Sequence, residues 1–318
     1  MNTLAWKLLE KMLKSREFYN VKVEKTSFGT TIVDAGINTR GGFQAGKIIA
    51  EISMGGCGKT ELSHISYDEN LVLPAISVYT DHPSIATLAS QFAGWRIKYR
   101  DYSAIGSGPA RALALKPKEV YEKIGYRDHA EKAVLILETE KKPPENVIRE
   151  IAEECNVSMK NLAIILTPTT SIAGVVQVSA RIVETGIHKL KMLGLNPNNV
   201  LFASGYAPIP PVHPKFEKAI AVTNDAILYG GIFQCTVSYK DDEEKLRQIV
   251  DKAPSKSSDA YGKPFFEIFR NAKYDFYKID PNLFAPALII VNNSETGSVF
   301  KAGKINIKIL KESLGFHS

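Results

Sequence analysis

Cysteine is scarce. The three present, Cys57, Cys155 and Cys235, are scattered and odd in number, which argues against a disulfide framework and against a cysteine-built zinc site. A reducing cytoplasm follows as the expected compartment. Long apolar runs are missing too: none approaches the ~20 residues that span a bilayer, so no membrane partner is expected. Residues 2–17 are amphipathic, with Leu4, Leu8, Met12 and Leu13 on the apolar side. They lack a signal-peptide core and a small-residue cleavage site, and read as a folded helix. Histidine is sparse, and His64, His82, His129 and His188 show no ligand spacing to one another or to carboxylate or cysteine. No catalytic metal is expected. Lys and Arg outnumber Asp and Glu by 40 to 34, a net charge of +6, yet no block of five or six like charges occurs. With no RNA-binding or zinc-finger signature, nucleic acid is not an expected partner. A small anionic ligand accounts for the basic surplus equally well.

A complete phosphate-cradling loop is also absent. GGFQAGKI (41–48) fits until Ile48, which replaces the Ser or Thr that would hold magnesium. SMGGCGKT (53–60) ends correctly but begins with Ser53. Residues 47–53 read as a strand, so neither run has the strand–loop–helix setting the motif needs. Nucleotide hydrolysis and a nicotinamide cofactor are therefore not expected.

What is present is the composition of a globular protein, 44% apolar and 23% charged. Strand-like runs at 19–25, 30–34, 75–79, 95–99, 133–138, 162–166, 199–203, 231–239, 287–292 and 298–301 alternate with helix-like runs. The last two read as a hairpin around 294–297. The helical readings fall at 84–92, from the Pro143-Pro144 pair to about Glu154, 215–228, 241–251 and 305–313. Residues 253–263 read as an exposed loop. This order predicts an α/β (mixed α+β) protein of two layered lobes, one made of 1–115 with 284–318 and the other of 116–283. The run 162–203 reads as a strand–helix–strand parallel crossover. Gly41–Ala45 and Gly230–Cys235 echo each other weakly, as two glycine-rich turns each opening a β-rich run.

Four stretches carry candidate chemistry. Residues 169–194, TTSIAGVVQVSARIVETGIHKLKMLG, read as one helix, started by Pro168 and a Thr-Thr-Ser cluster and stopped by Gly194. It is apolar nearly all round, hence mostly buried. Gln177, Arg181, Glu184 and His188, spaced by four, three and four, share one narrow face. Arg181 and Glu184 are either a solvated ion pair or a cleft-lining pair in which the arginine fixes the carboxylate and lowers its pKa. The second stretch, 106–111, places Ser107 and Gly108 before Pro109 at a helix start, with Arg111 on the first turn; it is a tight turn into the core or an anion-binding wall. The third, 204–214, carries four prolines and is excluded from helix or central strand; its Tyr206 and His213 belong to a pocket rim or to a rigid connector. The fourth is Glu138, closing an apolar strand where ligand crevices of parallel sheets open.

NTRGGFQAG (38–46), SGPARALA (107–114), SIAGVVQVSARIVETGIHKL (171–190) and SGYAPIPPVHP (204–214) closely resemble methenyltetrahydromethanopterin cyclohydrolase, and the similarity runs end to end. The resemblance implies two-domain α/β subunits in a homotrimer, with a pterin bound between domains. It implies interconversion of methenyl- and formyl-tetrahydromethanopterin in the archaeal one-carbon metabolism of methanogenesis. No cofactor is then needed, since the tetrahydromethanopterin derivative is the substrate. The family's catalytic arginine and glutamate match Arg181 and Glu184, with Glu138, Ser107, Gly108, Arg111, Gln177, Tyr206 and His213 as the candidate substrate-binding set. The substrate's phosphate and carboxylates fit the basic charge. The rival readings are a non-catalytic pterin- or nucleotide-binding protein and, on charge alone, an RNA-associated one.

Overall fold

The computed structural model describes residues 1–316. Along the chain come α1 (Asn2–Lys14), β1 (Lys22–Lys25), β2 (Thr31–Asp34), α2 (Phe43–Ser53), β3 (Lys59–Asp68), β4 (Leu71–Thr80), a π-helix (Ile85–Gln91), β5 (Trp95–Tyr99), β6 (Tyr102–Ser107), α3 (Ala110–Ala114), α4 (Lys118–Ile124), β7 (Ala133–Glu138), α5 (Glu145–Glu154), β8 (Leu162–Leu166) and α6 (Ile172–Ser179). There follow α7 (Ile182–Met192), β9 (Val200–Pro208), α8 (Phe216–Gly230), β10 (Ile232–Val237), α9 (Glu243–Lys252), α10 (Phe265–Asn271), β11 (Leu288–Asn293), β12 (Val299–Gly303) and α11 (Ile307–Leu314). The expected α/β class holds. The chain divides into two units, 1–59 with 84–177 and 60–83 with 178–318.

The first unit is built on a six-stranded sheet of order β1-β2-β8-β7-β6-β5. Its centre is parallel: β2 pairs with β8 and β8 with β7, while β1, β6 and β5 add antiparallel edges. A parallel centre must be covered on both faces, and AVLILE and LAIIL are accordingly apolar at nearly every position. Leu135, Leu137, Ile164 and Leu166 turn to one side and pack with Val147, Ile148 and Ile151 of α5. Each such buried side chain contributes roughly 1.5–3 kcal/mol. Val134, Ile136, Ala163 and Ile165 turn to the other side, against Leu9 and Met12 of α1 and Ile48, Ile49 and Ile52 of α2.

The second unit holds a six-stranded sheet of order β12-β11-β10-β9-β4-β3. Only β10 and β11 are parallel in the pairings that join β12, β11, β10, β9 and β4. Its other core gathers Ile220, Leu228 and Tyr229 of α8 with Phe265 and Phe269 of α10 and Leu310 of α11.

Several sequence expectations are corrected here. Residues 47–53 are helical, not extended: Ala45, Ile48, Ile49 and Ile52 recur at helical spacing and all are buried. The isoleucines' β preference yields to that periodicity. A strand–loop–helix setting therefore does surround Gly41. Lys47 nevertheless lies within α2 and pairs with Glu51 at 3.1 Å, so it is not placed as a phosphate-loop lysine. The glycine echo dissolves, since one copy opens a helix and the other opens β10. The crossover from 162 to 203 is not one, because β8 and β9 lie in different sheets. The expected lobes 1–115 with 284–318 and 116–283 also differ from the observed division. β11 and β12 join β10 in the second sheet, whereas β7 and β8 sit at the centre of the first. Residues 253–263 are partly interior: Ala253 and Ser255 are buried, and the Ser255 hydroxyl donates to the Leu228 carbonyl at 2.6 Å.

Candidate active site

The helix expected over 169–194 is two helices. α6 ends at Ser179, Ala180 and Arg181 form a turn, and α7 starts at Ile182. Arg181 donates its N–H to the Val178 carbonyl at 2.9 Å, three residues back, and its own carbonyl accepts from Thr185 at 2.8 Å. Arg181 is thus the N-cap of α7 and Glu184 lies in its first turn. The helix dipole favours negative charge there. A mid-helix carboxylate would have no such support.

Gln177 is in α6 and Glu184 and His188 are in α7, with the turn at Ala180–Arg181 between, so Gln177 does not share a continuous helix face with Arg181, Glu184 and His188. Gln177 is 0% exposed and Glu184 7% exposed. Burial of Glu184 rules out the solvated surface pair. His188 is half-buried, and its pKa is pushed down to about 4 by burial and by the nearby Lys191 and Lys189 charges.

α7 is held on its sheet by close contact. A Cβ at Gly186 would stand 2.3 Å from the Phe233 ring, so only glycine lets the helix approach β10 this closely. Lys189 is entirely buried, and its ammonium donates to the Asn282 backbone carbonyl at 3.2 Å and to Asn282 Oδ1 at 2.8 Å. Burial lowers the Lys189 pKa, and the Asp280 carboxylate opposes that shift. The Ser179 hydroxyl donates to the Pro208 carbonyl at 3.0 Å, tying the approach to α7 to the end of β9.

The stretch 204–214 is not all loop. β9 runs through Pro208 as an interior strand, with Tyr206 paired to Ser77 of β4 and to Ile232 of β10. Proline is tolerated because the pairing with β10 ends at Tyr206, so Pro208 is paired on the β4 side alone and sits at an edge. Tyr206 is half-buried, and burial raises its phenol pKa. His213 accepts the Lys215 N–H on Nδ1 at 3.0 Å, which shapes the entry to α8.

Glu138, Ser107, Gly108 and Arg111 lie in the first unit. Ser107 ends β6 opposite Ile136, and Gly108, at φ +100°, donates to the Ser90 carbonyl at 2.8 Å. Arg111 is 0% exposed. Its Nε donates to the Lys116 carbonyl at 2.8 Å, and its Nη1 to the carbonyls of Leu88 at 3.2 Å and Ser90 at 3.0 Å. The guanidinium also lies over the Phe92 and Tyr121 rings. The expected anion-binding wall is therefore corrected at Arg111, whose charge is turned inward onto backbone carbonyls and aromatic faces. The tight turn into the core is the reading that fits.

Sequence reasoning passed over three polar residues that build these regions. Nothing in the sequence around Lys189 sets it apart from other helix lysines. Thr169 served only as part of a helix-start signal. Asp34 accepts N–H bonds from Gly36 at 3.0 Å, Ile37 at 2.7 Å and Asn38 at 2.8 Å. Its burial acts to raise the carboxyl pKa, but these donors outweigh it and the net direction is down. The run Asp-Ala-Gly after a β-rich segment is a turn signal that could have found it.

Fold and site together define a two-sheet α/β protein with a buried carboxylate at a helix start, three residues after an arginine. The family model described as Cyclohydrolase (MCH) matches residues 1–314. The methenyltetrahydromethanopterin cyclohydrolase of Methanothermobacter marburgensis is 43% identical over 320 residues, covering 99% of each chain. Those of Methanococcoides burtonii and Methanocaldococcus jannaschii are 44% and 42% identical, each covering 99% of this chain and 98% of their own. The chain belongs to the MCH cyclohydrolase family.

Proposed function

We propose that this chain interconverts methenyl-tetrahydromethanopterin plus water and formyl-tetrahydromethanopterin, the reaction for which its relatives are named. The end-to-end identity to those relatives carries the reading. The substrate's reacting carbon is a cationic amidinium between two ring nitrogens. Water adds to that carbon, and Glu184 accepts a water proton. The C–N bond to one nitrogen then breaks, its electron pair stays on that nitrogen, and Glu184 returns the proton there. The carbinol oxygen becomes the formyl carbonyl as its remaining proton leaves to solvent. Arg181 orients Glu184 and supplies positive charge near the adding oxygen. The reacting carbon's oxidation state does not change, so the chemistry asks for no redox cofactor. Placement of Glu184 among the first-turn N–H groups of α7 supports its ionised, proton-accepting form in this role.

In the same reading the chain works as a homotrimer in the cytoplasm of an archaeon, in one-carbon metabolism. The exposed part of one face of the second sheet, which carries Tyr79, Phe202 and Val299, supports association of copies. Glu138, Ser107, Gly108, Gln177, Tyr206 and His213 remain the substrate-contact candidates. Arg111 is withdrawn from that set. No helix is long and apolar enough to cross a membrane among the described residues.

The test is Glu184→Gln assayed on methenyl-tetrahydromethanopterin by loss of the methenyl chromophore. Turnover should fall by ~10²–10⁴ with the circular dichroism spectrum unchanged. A folded variant with near-wild-type turnover would remove Glu184 from the mechanism. A wild-type chain that binds the substrate without turnover would instead make the protein a pterin-binding one.

A further inference from the structure

At the C-terminal edge of the first sheet, β7 ends in Glu138 and β8 runs on into Thr167, Pro168 and Thr169. Leu137 pairs with Leu166 in parallel register, so the next step sets Glu138 beside Thr167. Thr169 is 0% exposed, while Glu138 is half-buried. The Thr169 hydroxyl donates to Glu138 Oε1. Among the described residues this is the one side-chain hydrogen bond to the Glu138 carboxylate, and no ion pair reaches it. One carboxylate oxygen is held and the other, Oε2, has no protein partner.

The donor itself is firmly placed. The Thr167 N–H bonds the Leu137 carbonyl at 3.1 Å, fixing the exit from β8. The Pro168 carbonyl accepts from the Ser171 N–H at 2.9 Å and from its hydroxyl at 2.8 Å. The Ser171 hydroxyl in turn accepts the Gly174 N–H at 3.1 Å. A Cβ at Gly174 would stand 2.0 Å from the Pro168 oxygen and 2.9 Å from Thr169 Cα, so the first turn of α6 is seated directly on this corner. A glutamate at a strand end has freely turning side-chain bonds. A hydroxyl on a latched corner takes that freedom away, as preorganised sites require.

We propose that Thr169 is a positioning residue for the reaction: it fixes Glu138 Oε1 so that Oε2 meets an N–H donor of the heterocyclic substrate in one orientation. The inference rests on the reading that Glu138 contacts substrate. Loss of the Thr169 hydroxyl should cost about 10- to 100-fold in kcat/KM, the worth of one hydrogen bond to a charged group.

The experiment is a double-mutant cycle on the full-length chain, with kcat and KM measured separately on methenyl-tetrahydromethanopterin for Thr169→Val, Thr169→Ser, Glu138→Ala and the Val/Ala double variant. Thr169→Val should lose about 10- to 100-fold, Thr169→Ser should recover most of it, and in the Glu138→Ala background Thr169→Val should change little. Should the valine variant fail to fold, Thr169→Ala takes its place in the same cycle. An equal loss from Thr169→Val with and without Glu138 would overturn the positioning role while leaving Glu138 in the site. Near-wild-type activity of Glu138→Ala would instead remove Glu138 from the site, and the inference with it. A serine variant as impaired as the valine one would show that shape, not the hydroxyl, is what position 169 supplies, and would also overturn the inference.

Discussion

Arg111 carries a charge that the core has absorbed. Three backbone carbonyls and two aromatic faces surround its guanidinium. Two of those carbonyls, Leu88 and Ser90, belong to the π-helix, whose wide turns leave them available to an outside donor. Arg111→Ala would remove the donor from all three and leave a cavity. We expect a loss of about 3 kcal/mol or more in stability, with Arg111→Lys recovering only a part, because an ammonium cannot reproduce the planar fork. Urea midpoints read the stability, and the folded fraction should keep a near-wild-type KM. A large rise in KM at unchanged midpoint would return Arg111 to the ligand wall. The tight glycine turn and helix start around it were legible in the sequence, but the direction of the guanidinium was not. That direction depends on carbonyls of the π-helix 21 and 23 residues away, and no local pattern encodes it.

At the scale of elements, buried polar anchors join helices that sequence distance separates. Asp225 of α8 accepts the Phe265 N–H at 2.9 and 3.0 Å, at the start of α10, and a bond from the Ser313 hydroxyl in α11. Burial raises its carboxyl from 3.8 to about 7, against the pull of these donors and with a push from Glu312. The folded state therefore holds the proton more tightly than the unfolded chain. The stability this supplies is complete below about pH 4 and is lost as pH rises through about 7. One such proton tilts stability by at most ~1.4 kcal/mol per pH unit in that window. Asp225→Asn should flatten the slope, as measured by urea midpoints at pH 5 and pH 8. Equal slopes in the two proteins would mean that Asp225 does not titrate there. Elements with strong β composition between turn signals, such as β5, β7, β8 and the terminal hairpin, were readable to within a residue or two. The break at Ala180–Arg181 was not, since no proline or glycine marks it. It arises where the chain passes from one unit to the other, and it is what makes Glu184 a first-turn residue. β3 was missed as well: KTELSHISYD is largely polar, and only its place at the sheet edge makes it a strand.

For the whole molecule, one face of the second sheet lies under α7, and part of the opposite face is exposed. Phe233 turns toward α7, so on β10 the alternate residues Gln234 and Thr236 point the other way. Register carries that outward face across to Ser204 and Phe202 on β9 and to Tyr79 on β4. Tyr79 and Phe202 are 51% and 53% exposed, and a shallow recess lined by Tyr79, Asp81, Phe202, Ser204, Gln234 and Thr236 lies among them. Exposed aromatic side chains standing on a sheet surface are enriched at interface centres. If copies of the chain associate here, a carboxylate placed at the centre would be repeated in every copy and buried without a partner, which interfaces tolerate poorly. Phe202→Glu should therefore shift the protein to a smaller species in multi-angle light scattering, with an unchanged circular dichroism spectrum because Phe202 is exposed and packs in no core. A Phe202→Glu assembly of wild-type mass would place the contact between subunits on another surface, and a wild-type chain that runs as a monomer at micromolar concentration would remove the homotrimer from the proposed function.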